Sequence, residues 1–132
     1  MIATESVAAV LTDLKSRIGG IATALVSRNG LVLFADLPEG AFAEAFAIMC
    51  ATILGAATTA YQELNRAGPQ RIVVAGPDST CVITESGENT LLVAVVAGSA
   101  DPLSVVTEMG KFADLLKGAR GPQAGRGRGP AE

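Results

Sequence analysis

Few residues in this chain have the types and spacing that chemistry requires. There is no histidine, which removes the commonest general base, the Ser–His and Cys–His nucleophile pairs and the commonest metal ligand. Two carboxylates, Glu85 and Glu88, stand close enough in sequence to suggest an acid–base pair, but they flank Ser86-Gly87, and solvated turn residues are the simpler reading. Ser6, Thr80 and Thr84 have no activating base nearby in sequence. No GxxxxGK[ST] stretch exists, and Gly19-Gly20 precedes a β-prone run instead of opening a helix after one, so phosphate-loop hydrolysis and dinucleotide binding are both unsupported. Cys50 and Cys81 lie far apart on separate regular elements; they form no metal-type pair and read as small apolar core residues. The expectation is a non-enzyme with no catalytic residue, no cofactor and no metal.

Charge narrows the partners. Through Gly118 the chain carries seven basic and twelve acidic residues, and the remaining stretch adds three Arg and one Glu. An acidic body does not suit a phosphate backbone, and with aromatics at 4% and no Trp a base-stacking platform is hard to build. The last segment, 119–132, is Gly, Pro and Arg with nothing to bury, so it is expected to be a disordered tail beyond a domain spanning 1–118. Arg120, Arg126 and Arg128 could make it a nucleic-acid-contacting arm, but no aromatic is interleaved, and a solvated terminus is the plainer reading. With no signal peptide visible at Met1, a reducing cytoplasmic setting is expected.

The elements follow from periodicity and turn chemistry. Val7, Val10, Leu11, Leu14 and Ile18 form one stripe of a helix over 4–18, ended by Gly19-Gly20. IATALVSR and LVLFAD are β-prone runs joined by Asn29-Gly30, a strong hairpin signal that asks for positive φ at both turn residues. Both faces of that hairpin are apolar, Ile21 and Leu25 on one and Ala22, Ala24 and Val26 on the other, so helices should cover both sides of the sheet. Three more strands are expected at 70–75, 80–85 and 90–97, with TLLVAVVA in the sheet centre. Asp101-Pro102 should start a last helix, capped by the Asp side chain, that runs to Gly118. The fold class is an α+β sandwich in the order α-β-β-α-β-β-β-α. It is a five-stranded antiparallel sheet with two helices on one face and one long helix on the other.

That long helix, 41–64, has no obvious wet side. Phe42, Phe46, Met49, Ile53, Ala60 and Leu64 make a bulky stripe, while Ala43, Ala47, Ala51 and Gly55 recur every fourth residue behind it, flanked by Ile48, Leu54 and Thr58. Small residues at that spacing let another helix backbone approach closely. A second copy of the chain is the expected cover; burial inside the helix's own domain is the alternative. A membrane span is less favoured, because Glu44 and three Thr interrupt the segment and no basic flank follows it.

The stretch LKSRIGGIATALVSRNGLVLFAD, followed by an Ala-rich long helix and three strands ending in LLVAVVA, resembles the Roadblock family of dynein light chains and the related prokaryotic MglB-type proteins. The resemblance covers about 6–117 and rests on element order and the Gly-Gly, Asn-Gly and long-helix features, not on a catalytic motif. It implies a homodimer in which the long helices of two subunits pack together and the sheets join edge to edge through the third strand. Carried onto this chain, the helix contact would use Ala43, Ala47, Ile48, Ala51, Leu54, Gly55 and Thr58. The edge contact would run from Arg71 through Val73 to Ala75. The resemblance further implies an adaptor or regulator of a small Ras-like GTPase. Arg28 at the hairpin is exposed in this reading but serves as a solvated turn residue, not as an arginine finger. A small-ligand sensor on a similar fold and an RNA-binding module working through the Arg-Gly tail are the other two readings.

Overall fold

The computed structural model describes residues 4–117; the tail at 119–132 lies outside them. The elements are α1 (Thr4–Ile18), β1 (Gly20–Ser27), β2 (Val32–Asp36), α2 (Ala43–Glu63), β3 (Arg71–Ala75), β4 (Ser79–Glu85), β5 (Thr90–Ala97) and α3 (Pro102–Leu115). The strands form one antiparallel sheet in the order β2-β1-β5-β4-β3. β5 takes the centre because Leu91, Leu92, Val93 and Ala94 are all buried, so both of its faces must be covered.

Each boundary has a local cause. α1 stops at Gly19, which takes a left-handed φ of +62°. α2 ends on Asn65, with φ of 57°; its N–H donates to the Gln62 carbonyl at 2.9 Å while the Arg66 N–H donates to the Tyr61 carbonyl at 3.0 Å. Two carbonyls of the last turn are thereby satisfied. α3 begins as expected, with the Asp101 carboxylate accepting from the Leu103 N–H at 3.3 Å and from the Ser104 hydroxyl at 2.9 Å.

Two local expectations give way. The Asn-Gly hairpin is not a two-residue turn: Arg28, Asn29 and Gly30 form a three-residue loop closed by the Ser27 N–H on the Leu31 carbonyl at 2.8 Å, and Gly30 rather than Asn29 carries the positive φ. A turn followed by a left-handed glycine is the common three-residue solution. Ile21, expected on a buried face, is 41% exposed, because the β1–β5 register slips between Gly20 and Ala22.

The two sheet faces carry separate cores. On one, Val7, Leu11 and Leu14 of α1, Val105 and Met109 of α3 and Leu116 just past its end pack on Leu25, Val82, Leu92 and Val96. On the other, Ala47, Cys50 and Leu54 of α2 pack on Ala24, Val26, Ile83, Leu91 and Val93. The hairpin turn also supports α2: a Cβ placed on Gly30 would stand 3.3 Å from the Ile48 Cα and 3.2 Å from its Cγ1.

That contact separates two glycines of nearly equal φ, Gly30 at +92° and Gly40 at +91°, the latter with nothing within 4 Å of an added Cβ. Gly40→Ala should cost about 1–2 kcal/mol for the left-handed backbone alone, and Gly30→Ala clearly more. Urea unfolding of the two variants measures the difference, and coincident midpoints would refute the close approach of turn and helix.

Candidate functional site

The site is built on α2 because that helix is apolar all round and a sheet can cover only one side of it. The side against the sheet is set by Ala47, Cys50 and Leu54, all buried, with Ala43, Phe46, Ile53, Ala57 and Thr58 half-buried beside them. These positions recur every three to four residues, as one helical face must. The other side is open: Ala45, Ile48, Met49, Thr52, Gly55, Ala56 and Thr59 are exposed. Phe42 is 80% exposed and Met49 57%. Full burial of a large apolar side chain is worth about 1.5–3 kcal/mol, so this face carries a considerable unused driving force. By length and composition α2 could cross a membrane, but one of its faces is committed to the sheet.

β3 supplies the second feature. It is the sheet's last strand, and its outward N–H and C=O groups have no strand partner among the described residues. Cross-strand register puts Arg71, Val73 and Ala75 on the side of α1 and α3, and Ile72 and Val74 on the side of α2. Neither side is well covered, since Val73 is 45% and Val74 42% exposed. α2 rests over β1 and β2 and leaves this end bare. The opposite edge, β2, opposes a register irregularity in β1 and carries Asp36 in an ion pair with Lys15 of α1 at 3.2 Å. Such features blunt an edge, whereas β3 is left available.

The structure therefore divides the residues expected to meet a second copy. Ala47 and Leu54 are 0% and 3% exposed against the protein's own sheet, which corrects their placement on an outer face. Ala43, Ala51 and Thr58 are half-buried at the flank, while Ile48 and Gly55 face outward. Arg71, Val73 and Ala75 are exposed on the open edge. The small residues do admit a close neighbour, but for Ala47 that neighbour is the sheet. Phe42, Met49 and Thr52 are the outward residues that the sequence reading did not select. No periodicity could have selected them, because both faces of the helix are apolar.

Arg28 is exposed at the turn, as expected, but it is engaged there: its guanidinium pairs with Glu85 and donates from Nε to the Glu88 carbonyl at 2.7 Å, while its N–H donates to the Asn89 carbonyl at 3.0 Å. It staples the β1–β2 hairpin to the β4–β5 hairpin, and it occupies Glu85, leaving no free carboxylate pair there. An open cleft of about 880 Å³ beside these residues includes Arg71, Glu88, Lys111, Asp114 and Lys117 in its lining.

The two cysteines, read as distant, come together. Cys50 points from α2 into the sheet-side core, and Cys81 on β4 borders the same core. Cys50 is buried beside Cys81, and the neighbouring thiol and burial together push its pKa far up, while the same neighbour lowers that of Cys81. Both are free thiols. No group of three or more His, Cys, Asp or Glu that could hold a metal ion occurs among the described residues.

Comparison with known proteins agrees with this architecture. Residues 6–97 match the family model described as the Roadblock/LC7 domain. Among solved structures the chain is similar to an MglB in a tetrameric arrangement, with 24% identity, a TM-score of 0.81, and 89% of this chain and 90% of that chain covered. It is similar to the gliding protein MglB of Thermus thermophilus at 23% identity, TM-score 0.78, with coverage of 89% and 91%. Myxococcus xanthus MglB gives 17% identity, TM-score 0.80 and coverage of 85% and 92%. No curated protein matches the sequence.

The thiol pair makes a prediction. Cys81 should react with iodoacetamide faster than Cys50 in the folded protein, because only thiolate attacks and its pKa is lowered. The pH midpoint of Cys81 alkylation should lie below that of the urea-unfolded chain, read by peptide mass spectrometry; equal rates at the two cysteines would contradict the opposed shifts of the thiol pair.

Proposed function

The chain belongs to the Roadblock/LC7 family, and on that premise we propose that it is a non-enzymatic homodimeric adaptor of the cytoplasm that binds a small Ras-like GTPase. The observation that supports the reading is the bare apolar face of α2 together with the open edge of β3. A second copy related by a two-fold axis can satisfy both features at once, laying one α2 against the other and pairing β3 with β3 in one continuous sheet. In this arrangement the helix contact is formed by Phe42, Ile48, Met49, Thr52 and Gly55. Ala43, Ala51 and Thr58 lie at its margin, and Arg71, Val73 and Ala75 lie along the joined edge.

The role toward the GTPase is that of a platform. With Arg28 engaged by Glu85 and the Glu88 carbonyl, it is not free to enter a nucleotide site as an arginine finger would. No histidine is present, so a proton-transfer role has no obvious agent either. The adaptor acts by presenting a large, rigid, two-fold surface to its partner.

Light scattering should give twice the chain mass for the wild type, and Met49→Lys, a change at an exposed position, should give a single chain mass with an unchanged circular dichroism spectrum. A wild type that stays monomeric at every concentration would refute the dimer. Pull-down against small Ras-like GTPases of the same cell, loaded with GTP, should retain one of them on the wild type and lose it on Met49→Lys. A stable dimer that retains none would refute the adaptor role.

A further inference from the structure

α2 and β4 bring together two side chains to which the adaptor reading gives no task. Cys50 follows Ala47 by one turn and precedes Leu54 by one turn, on the face of α2 that is buried against the sheet. Cys81 shares its strand face with Ile83, which packs under α2, and stands opposite Val74 of β3 and Val95 of β5. Both sulfurs thus lie in one apolar layer. Cys50 is 2% exposed, while Cys81 is half-buried and one strand in from the bare edge.

We infer that Cys50 and Cys81 are a peroxide-oxidisable pair that closes into an intramolecular disulfide between α2 and β4. The half-buried Cys81 is the sulfur that a small hydroperoxide reaches. As thiolate it attacks one peroxide oxygen; the S–O bond forms, the O–O bond breaks, and the departing hydroxide leaves as water after taking a proton. The Cys50 sulfur then attacks the Cys81 sulfenic acid. The S–S bond forms, the S–OH bond breaks, and the hydroxide carries off the Cys50 proton as a second water. Two thiols give up two electrons in total, and one hydrogen peroxide is reduced to two waters. The lowered pKa of Cys81 suits it to attack first; once Cys81 is a neutral sulfenic acid, the neighbouring charge that holds the proton on Cys50 is gone, and Cys50 can give up that proton as it attacks. The bond ties the helix that bears the outward apolar face to the strand next to the open edge.

The test treats the full chain with hydrogen peroxide at neutral pH and then measures intact mass and maleimide uptake after denaturation. The expected result is a mass lower by two hydrogens per chain, no maleimide uptake, a single chain on a non-reducing gel, and full reversal by dithiothreitol. In Cys50→Ser the reaction should stop at Cys81, seen as one dimedone adduct. In the half-buried variant Cys81→Ser, Cys50 should keep its thiol at the same dose. A wild type that retains both thiols, that accumulates dimedone adducts instead of losing two hydrogens, or that links chain to chain would overturn the inference. The readout requires neither a GTPase nor the second copy.

Discussion

A helix laid on a sheet can bury only one side, and α2 is apolar on both. That mismatch governs the molecule. The sheet takes Ala47, Cys50 and Leu54, and the Gly30 turn closes against Ile48. Small side chains allow the close approach, and the larger Phe42 and Met49 are left outside. A helix with a polar outer face would have completed the domain. This one leaves apolar surface whose burial is favourable, at about 25 cal/mol per Å², and the sheet beside it ends in a strand on which only Ile72 is half-buried.

The rest of the architecture keeps that surface in place. α1 and α3 share the opposite face through a core of long aliphatic side chains and Met109. The Ser86 hydroxyl donates to the Ala113 carbonyl at 2.7 Å and fixes the last turn of α3 against the β4–β5 turn. Arg28 ties the two hairpin ends together. These contacts make the sheet a rigid plate with one side finished and the other only partly so.

How much of this was legible beforehand depends on whether a residue's role is local. Asp101-Pro102, Gly19 and the Gly-rich turns each carry their own instruction, since a cap, a left-handed glycine or a fixed φ acts over a few residues. The Asn-Gly hairpin was read correctly as a turn and incorrectly as to its length, because Ser27 and Leu31 close a loop one residue longer than the dipeptide suggests. The pairing of Cys50 with Cys81 could not be read, since it requires both the parity of β4 and the rotation of α2 about its axis.

The sequence by itself determined the element order, the central place of β5, the two-sided covering of the sheet and the poverty of catalytic groups, because alternation, helical stripes, turn residues and a missing histidine are properties of the chain alone. Only the tertiary structure decided which face of α2 turns inward, what Arg28 holds, and which sulfur lies beside which. Those are choices among near-equivalent apolar faces, and they are settled by which small side chains let a helix and a sheet approach most closely.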